Sequence, residues 1–246
     1  MNNKNIFRCA LMALITCSIS SSFVSCSSDQ EDDDKQSSQT SNKHNGHEYV
    51  DLGLPSGTLW ATCNIGAESP EGYGHYFAWG EVKPKDVFDW DTYKYGKCLT
   101  DIDDNPYEGS LTKYCEDSKF GAVDNKTELA LEDDAAYVNW GEGWRMPSID
   151  QIEELIDDRY TTTTWEKVNG VYGRKVTSDL NGKSLFLPAA GYRGWLNGDG
   201  PYGLFWSRSL SNGSYNAYYL NHNEYDIYVF SVYRYRGLSV RPVYQK

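Results

Sequence analysis

The sequence predicts an α+β domain, and three observations carry that expectation. Two stretches near the middle of the chain, Thr127–Trp140 and the run from Ser148 to Asp158, have the apolar spacing of amphipathic helices. On either side of them, short aromatic and β-branched runs are broken by Gly, Pro and Asn-Gly pairs, the punctuation of strands and tight turns. The residues before His47 share neither pattern, which leaves roughly 200 residues for one substantial core.

Met1–Ser25 opens with Lys4 and Arg8 and continues with the apolar run CALMALITCSIS. That run is too short to span a bilayer and fits the core of a secretory signal. Small residues flank Cys26, as signal peptidase II requires of a lipid-modified cysteine. Residues 1–25 are therefore expected to be a lipoprotein signal peptide. Cys26 would start the mature chain and carry acyl groups that anchor it to a membrane without spanning it. The following SSDQEDDD, Ser27–Asp34, resembles the acidic export signal of Bacteroidetes surface lipoproteins, which implies the outer face of the outer membrane. Lys35–Gly46 is polar and aperiodic, so residues 26–46 read as a lipidated, acidic, flexible tether. His44 and His47 lie in or beside it, where ligand geometry is not fixed, and no metal site is expected there.

The domain is expected over residues 47–246. Tyr49–Leu52 and Thr58–Thr62 are strand-like and are separated by the turn Gly53–Gly57. The cluster Asp101–Glu108 has the oxygen density calcium favours, but not the spacing of an EF-hand loop, and reads as a solvated loop. In the first helix Thr127 is the N-cap, Gly141 the stop, and Leu131, Ala135 and Val138 share one face. In the second, Ser148 and Gln151 form a capping box. Ile149, Ile152, Leu155 and Ile156 make the buried stripe, and Asp150, Glu153, Glu154, Asp157 and Asp158 face water. Asn169-Gly170 and Asn181-Gly182 are hairpin turns. Of six cysteines, Cys63, Cys98 and Cys115 remain in the domain. Cys98 and Cys115 could pair, and three scattered thiols without a nearby His do not close a zinc site.

The last quarter, Leu185–Tyr244, differs in composition from everything before it. Ten of the twenty Tyr lie between Tyr192 and Lys246, where six Lys/Arg meet three Asp/Glu in a chain whose net charge is -12. Tyr presents a large rigid ring and a hydroxyl at low rotamer cost, the chemistry of recognition surfaces. The overall acidity argues against nucleic acid as a partner.

The motifs YVDLGLPSGTLWATCNIG, YFAWGE, AYVNWGEGWRMPSIDQIEELI, LFLPAAGYR, FWSRSL and RGLSVRPV together resemble the Fibrobacter succinogenes major paralogous domain family. The resemblance runs from about residue 47 to 244 and implies a C-type-lectin-like, formylglycine-generating-enzyme-like fold: two helices on a twisted antiparallel sheet, with the termini close together. On that fold Trp140, Trp144, Arg145, Pro147, Leu187, Pro188, Trp206, Ser207, Leu238, Val240, Arg241 and Pro242 would be scaffold. The segment Tyr192–Arg236 also resembles the variable region of lectin-fold proteins diversified by retroelements. The positions that would vary, and hold ligand, are Arg193, Trp195, Asn197, Asp199, Tyr202, Leu204, Tyr215, Tyr219, His222, Tyr225, Asp226, Tyr228, Phe230, Val232 and Tyr233. The other reading of the same segment is a fixed one whose Tyr-rich strands pave a sheet.

Three function classes remain. The first is a surface-exposed lipoprotein binding a protein or glycan ligand, without cofactor or metal. The second is a structural or adhesin component that packs on a fixed partner. The third is a carbohydrate-active enzyme with an unidentified carboxylate pair. Formylglycine-generating enzymes use a late pair of Cys, and here none follows Cys115. His47, His75 and His222 lie in no nucleophile setting, and His222, in the Tyr-rich segment, is expected to serve recognition or simply to be exposed rather than to catalyse. The sequence thus favours a binder without catalytic residues.

Overall fold

Asn-Gly pairs set much of the strand register. The computed structural model describes residues 42–96, 110–194 and 200–245, all within the unit Thr40–Lys246. In order come β1 (Lys43–His44), β2 (His47–Asp51), β3 (Leu59–Ala61), β4 (Tyr76–Phe77), α1 (Ala135–Trp140), β5 (Trp144–Arg145), α2 (Ile149–Leu155), β6 (Thr161–Val168), β7 (Val171–Ser178), β8 (Ser184–Pro188), β9 (Tyr202–Leu210), β10 (Asn216–Asn223), β11 (Ile227–Tyr233), β12 (Leu238–Ser239) and β13 (Val243–Tyr244). The class is α+β, with strands dominant and two short helices. Asn169 and Gly170 both take positive φ, 48° and 90°, as the two-residue turn between β6 and β7 requires. Asn45-Gly46 does the same between β1 and β2, so residues 43–46, read from composition as the end of the tether, already pair with the domain. His44 stacks on Tyr244 at 4.2 Å and His47 on Trp140 at 3.8 Å, so both rings pack against aromatics.

The strands form three sheets, ordered β1-β2-β3-β13-β5, β11-β10-β9-β12-β4 and β6-β7-β8. Every pairing between named strands is antiparallel except that of β12 with β9. The C-terminal β13 lies between β3 and β5, which brings the end of the domain back beside its start. Strand β9 is the wall between two cores. Trp206 joins Phe77, Trp79, Trp90, Tyr114 and Trp144 on one side. Phe205 joins Leu52, Trp60, Ile152, Leu155, Leu187 and Leu220 on the other. Successive side chains of a strand point to opposite faces, so adjacent residues serve opposite cores. All twelve residues read as scaffold lie here, buried apart from the partly exposed Arg145.

The capping box of α2 is present in both halves. Its stripe buries Ile152 and Leu155 fully, each worth about 1.5–3 kcal/mol of apolar transfer, while Ile149 and Ile156 are half-buried. Its acids are largely outward, but Glu154 accepts from the Ser56 amide at 2.8 Å and so ties the helix to the loop before β3.

The first helix is a correction. The helix expected over Thr127–Trp140 is confined to Ala135–Trp140 and is preceded by a 3-10 turn at Leu131–Asp133. Thr127–Leu129 instead runs extended against β9, with Leu129 N donating to Arg208 O and Leu210 N to Thr127 O. Two acids decide this. Asp134 accepts from the amides of Ala136 (2.9 Å) and Tyr137 (3.2 Å), which makes it the N-cap. Asp133 turns inward, so Leu131 and Val138 are left 43% and 47% exposed while Ala135, Ala136 and Trp140 take the buried positions.

Asp133 is the centre of a closed polar knot. It accepts from Tyr114 Oη (2.6 Å), Lys94 Nζ (2.9 Å), Tyr95 Oη and Lys113 Nζ. Burial pushes its carboxyl up, but the hydrogen bonds from Lys113, Lys94, Tyr114 and Tyr95 outweigh that and hold it well below the carboxylate range. Burial, reinforced by Asp133, pushes the Tyr114 phenol up to about 12. Arg234 is buried beside the knot over Trp79 (5.5 Å) and Tyr93 (5.4 Å), and donates to the Tyr114 carbonyl at 2.9 Å.

Candidate functional site

Directly opposed residues on β9, β10 and β11 share a face of the sheet. One face carries Trp206–Tyr219–Phe230, Leu204–Asn221–Tyr228 and Tyr202–Asn223; the other carries Phe205–Leu220–Val229 and Gly203–His222–Ile227. The second face is sealed by α2 and the β6–β8 sheet. The first is covered over Trp206 and Leu204 but opens toward the edge strand β11, where Tyr228 is 38% and Phe230 61% exposed.

The open part is assembled from both ends of the segment. Tyr192 stacks on Tyr202 with centroids 6.1 Å apart, and the Arg236 guanidinium lies 5.1 Å over the Tyr192 ring. Tyr219 meets Phe230 edge-on at 6.5 Å and Trp206 at 6.3 Å. Burial pushes the Tyr219 phenol up to about 12; neighbouring Tyr228 adds to the rise and Arg236 opposes it. Asn221 Nδ2 donates to Tyr228 Oη at 2.8 Å. Asn221 Oδ1 and Arg236 Nε are buried with no hydrogen-bond partner. Each such atom costs the free protein about 1–3 kcal/mol.

Of the fifteen residues expected to hold ligand, the twelve that are described do not form one surface. Tyr202, Leu204, Tyr219, Tyr228 and Phe230 come together on this face, but Leu204 and Tyr219 are buried beneath it as its floor. Val232 lies on the same side of β11, half-buried against Ala217. Tyr225 (90% exposed) and Asp226 form the tip of the β10–β11 hairpin, where Asn223 Oδ1 accepts from both amides. Tyr215 and Tyr233 are half-buried packing residues, 5.8 and 5.9 Å from Trp90. Arg193 lies over Tyr76 at 4.2 Å and lines a separate cleft of about 320 Å³ with His75, Lys85 and Phe88. Trp195, Asn197, Asp199 and the lipidation residue Cys26 lie outside the described residues, as does the acidic cluster Asp101–Glu108.

His222 is a further correction. It is fully buried on the opposite face, 5.7 Å from Phe205 and 6.0 Å from Trp165. Neither ring nitrogen has a hydrogen bond of good geometry, and the nearby Pro188 carbonyl only slightly opposes the fall in its pKa. Burial, then the charges of Arg174 and Arg241, lower its pKa to about 3, so the ring is neutral at physiological pH. A Cβ on Gly203 would stand 2.2 Å from His222 Nε2, so glycine there lets the ring lie across β9.

Three members of the face escaped sequence reasoning: Tyr192, Asn221 and Arg236. Alternation from Tyr219 to Asn221 and from Tyr228 to Phe230 points to Asn221; Tyr192 and Arg236 lie outside the strands and carry no such signal. A second cleft, about 290 Å³ and lined by Thr62, Glu166, Lys175 and Phe186, has its opposite charges paired at 3.7 Å. Cys63 and Cys115 are free thiols, and buried Cys115 Sγ donates to the Asp117 carbonyl at 3.1 Å; Cys98 lies outside the described residues. Among the described residues no group of three or more His, Cys, Asp or Glu is placed to hold a metal ion, and no helix is long and apolar enough to cross a membrane. The face therefore offers aromatic surface, Tyr hydroxyls and one guanidinium, with the unpartnered Asn221 amide oxygen buried beneath them. Comparison of the chain with protein-family models, curated proteins and solved structures finds no match in any of the three.

Proposed function

We propose that this chain is a lipid-anchored binding protein of C-type-lectin-like fold, displayed on the outer membrane through Cys26, whose ligand seats on the Tyr192–Tyr202–Asn221–Tyr228–Phe230–Arg236 face. The observation that carries this is the coincidence of exposed aromatic rings with hydrogen-bonding groups left without partners. A monomer gains nothing from either, whereas a partner that covers the rings and satisfies the groups gains from both. The return of β13 to β3 and the two short helices support the lectin-like fold. Five of the expected variable positions, Tyr202, Leu204, Tyr219, Tyr228 and Phe230, converge here, which supports a segment diversified for ligand choice.

The test is to probe the full chain, solubilised in detergent, on glycan and protein arrays. Phe230→Ser and Tyr228→Ser variants should lose the specific signals of the parent while keeping its unfolding midpoint. Signals that survive both substitutions would place the ligand elsewhere.

A further inference from the structure

We infer that the ligand of this face is a polypeptide that presents a carboxylate to Arg236 and an apolar side chain to Phe230; this rests on the recognition role proposed above. The other arginines show why Arg236 stands apart. Arg145 pairs with Asp134 at 2.7 Å, Arg208 with Glu128 at 3.0 Å, and Arg159 with Asp157. Arg234 and Arg241 are buried and donate to backbone carbonyls. Arg174 donates to the Asn223 carbonyl at 2.7 Å. The Arg236 guanidinium makes no hydrogen bond and no ion pair among the described residues, although the chain has 35 Asp and Glu against 23 Lys and Arg. In so acidic a chain a cation held flat on Tyr192 without a carboxylate is an open charge site, and its fork of donors matches a carboxylate bidentately.

Phe230 fixes the second requirement. It is a hydrocarbon ring, and β11 is an edge strand with no charged residue and no proline between Ile227 and Tyr233. An acidic peptide segment carries a carboxylate and an apolar side chain within one short stretch. A glycan would meet Phe230 with no more than the C–H face of a sugar ring, whereas a peptide covers it with a whole apolar side chain, and Tyr, Phe and Arg are what protein interfaces concentrate at their centres.

The experiment is selection of a random displayed-peptide library on the detergent-solubilised full chain, with polygalacturonate as the acidic-glycan probe in parallel. The enriched peptides should carry Asp or Glu beside an apolar residue. For the tightest peptide, Arg236→Gln should weaken binding by about 10- to 100-fold. Amidating the peptide carboxylate should do the same, and the two losses should not add, because both remove one ion pair. The inference is overturned if the enriched peptides lack acids, if the losses add, or if no peptide is enriched, whether or not polygalacturonate binds. If Phe230→Ser abolishes peptide binding while Arg236→Gln leaves it intact, this inference falls and the recognition role of the face stands. If neither substitution alters binding, both fall.

Discussion

The Asp133 knot and the Tyr192–Arg236 face are built from the same kinds of group and come to opposite ends. Each combines Tyr rings, a cation laid on an aromatic, and an oxygen acceptor. In the knot every oxygen of Asp133 is filled and the carboxylate is sealed from water, so the groups hold the 3-10 turn to the segments carrying Tyr95 and Tyr114. On the face Asn221 Oδ1 and Arg236 Nε are left without partners beside exposed rings. Residue type alone does not separate scaffold from recognition surface; satisfaction of the polar groups does.

The largest break in this comparison is at the knot. Asp133→Asn leaves two lysines facing a neutral amide and should lower the unfolding free energy by about 3–5 kcal/mol in denaturant titrations, with ligand capture per folded molecule unchanged. Because the folded carboxyl is held below its unfolded value, the parent keeps this contribution above about pH 4 and loses it on acidification.

A smaller effect sharpens the contrast from the back of the same sheet. His222 adjoins Asn221 in sequence and also lacks a partner, but it is sealed in the core, where no ligand can reach it. Its folded pKa of about 3 lies below the unfolded value, so the unfolded chain takes up the proton first and stability falls as pH drops below about 6.5. Between pH 7 and pH 5 the parent should lose about 2 kcal/mol more than a His222→Leu variant. Equal losses in the two proteins would mean that the ring reaches solvent.

Much of the frame was legible in the sequence because its signals are local. The Ser148–Gln151 capping box and the Asn169-Gly170 turn need only neighbours a few residues away, and both are present. The first helix was misjudged because Asp133 and Asp134 look like helix acids. Their roles are set by Lys94, Lys113, Tyr95, Tyr114 and Arg145, which no local pattern reveals. The face was half legible. Composition located the segment, but the irregular register of β9 and β10 between Ala217 and Tyr219, and the burial of one side of β10, sort its rings into floor, surface and core. Gly203, inside a strand, was the clue that a neighbouring side chain, His222, crosses close to the backbone. Tyr192 and Arg236 join the face only through tertiary contacts.

The most direct measurement needs no ligand: equilibrium unfolding of a Tyr228→Ser, Phe230→Ser, Arg236→Gln triple variant beside the parent chain. If these side chains exist to bind, their combined removal should change stability by no more than about 0.5 kcal/mol per site and relieve the buried guanidinium nitrogen. A loss as large as that of Asp133→Asn would show that the face is core, and the distinction drawn between the two regions would fail.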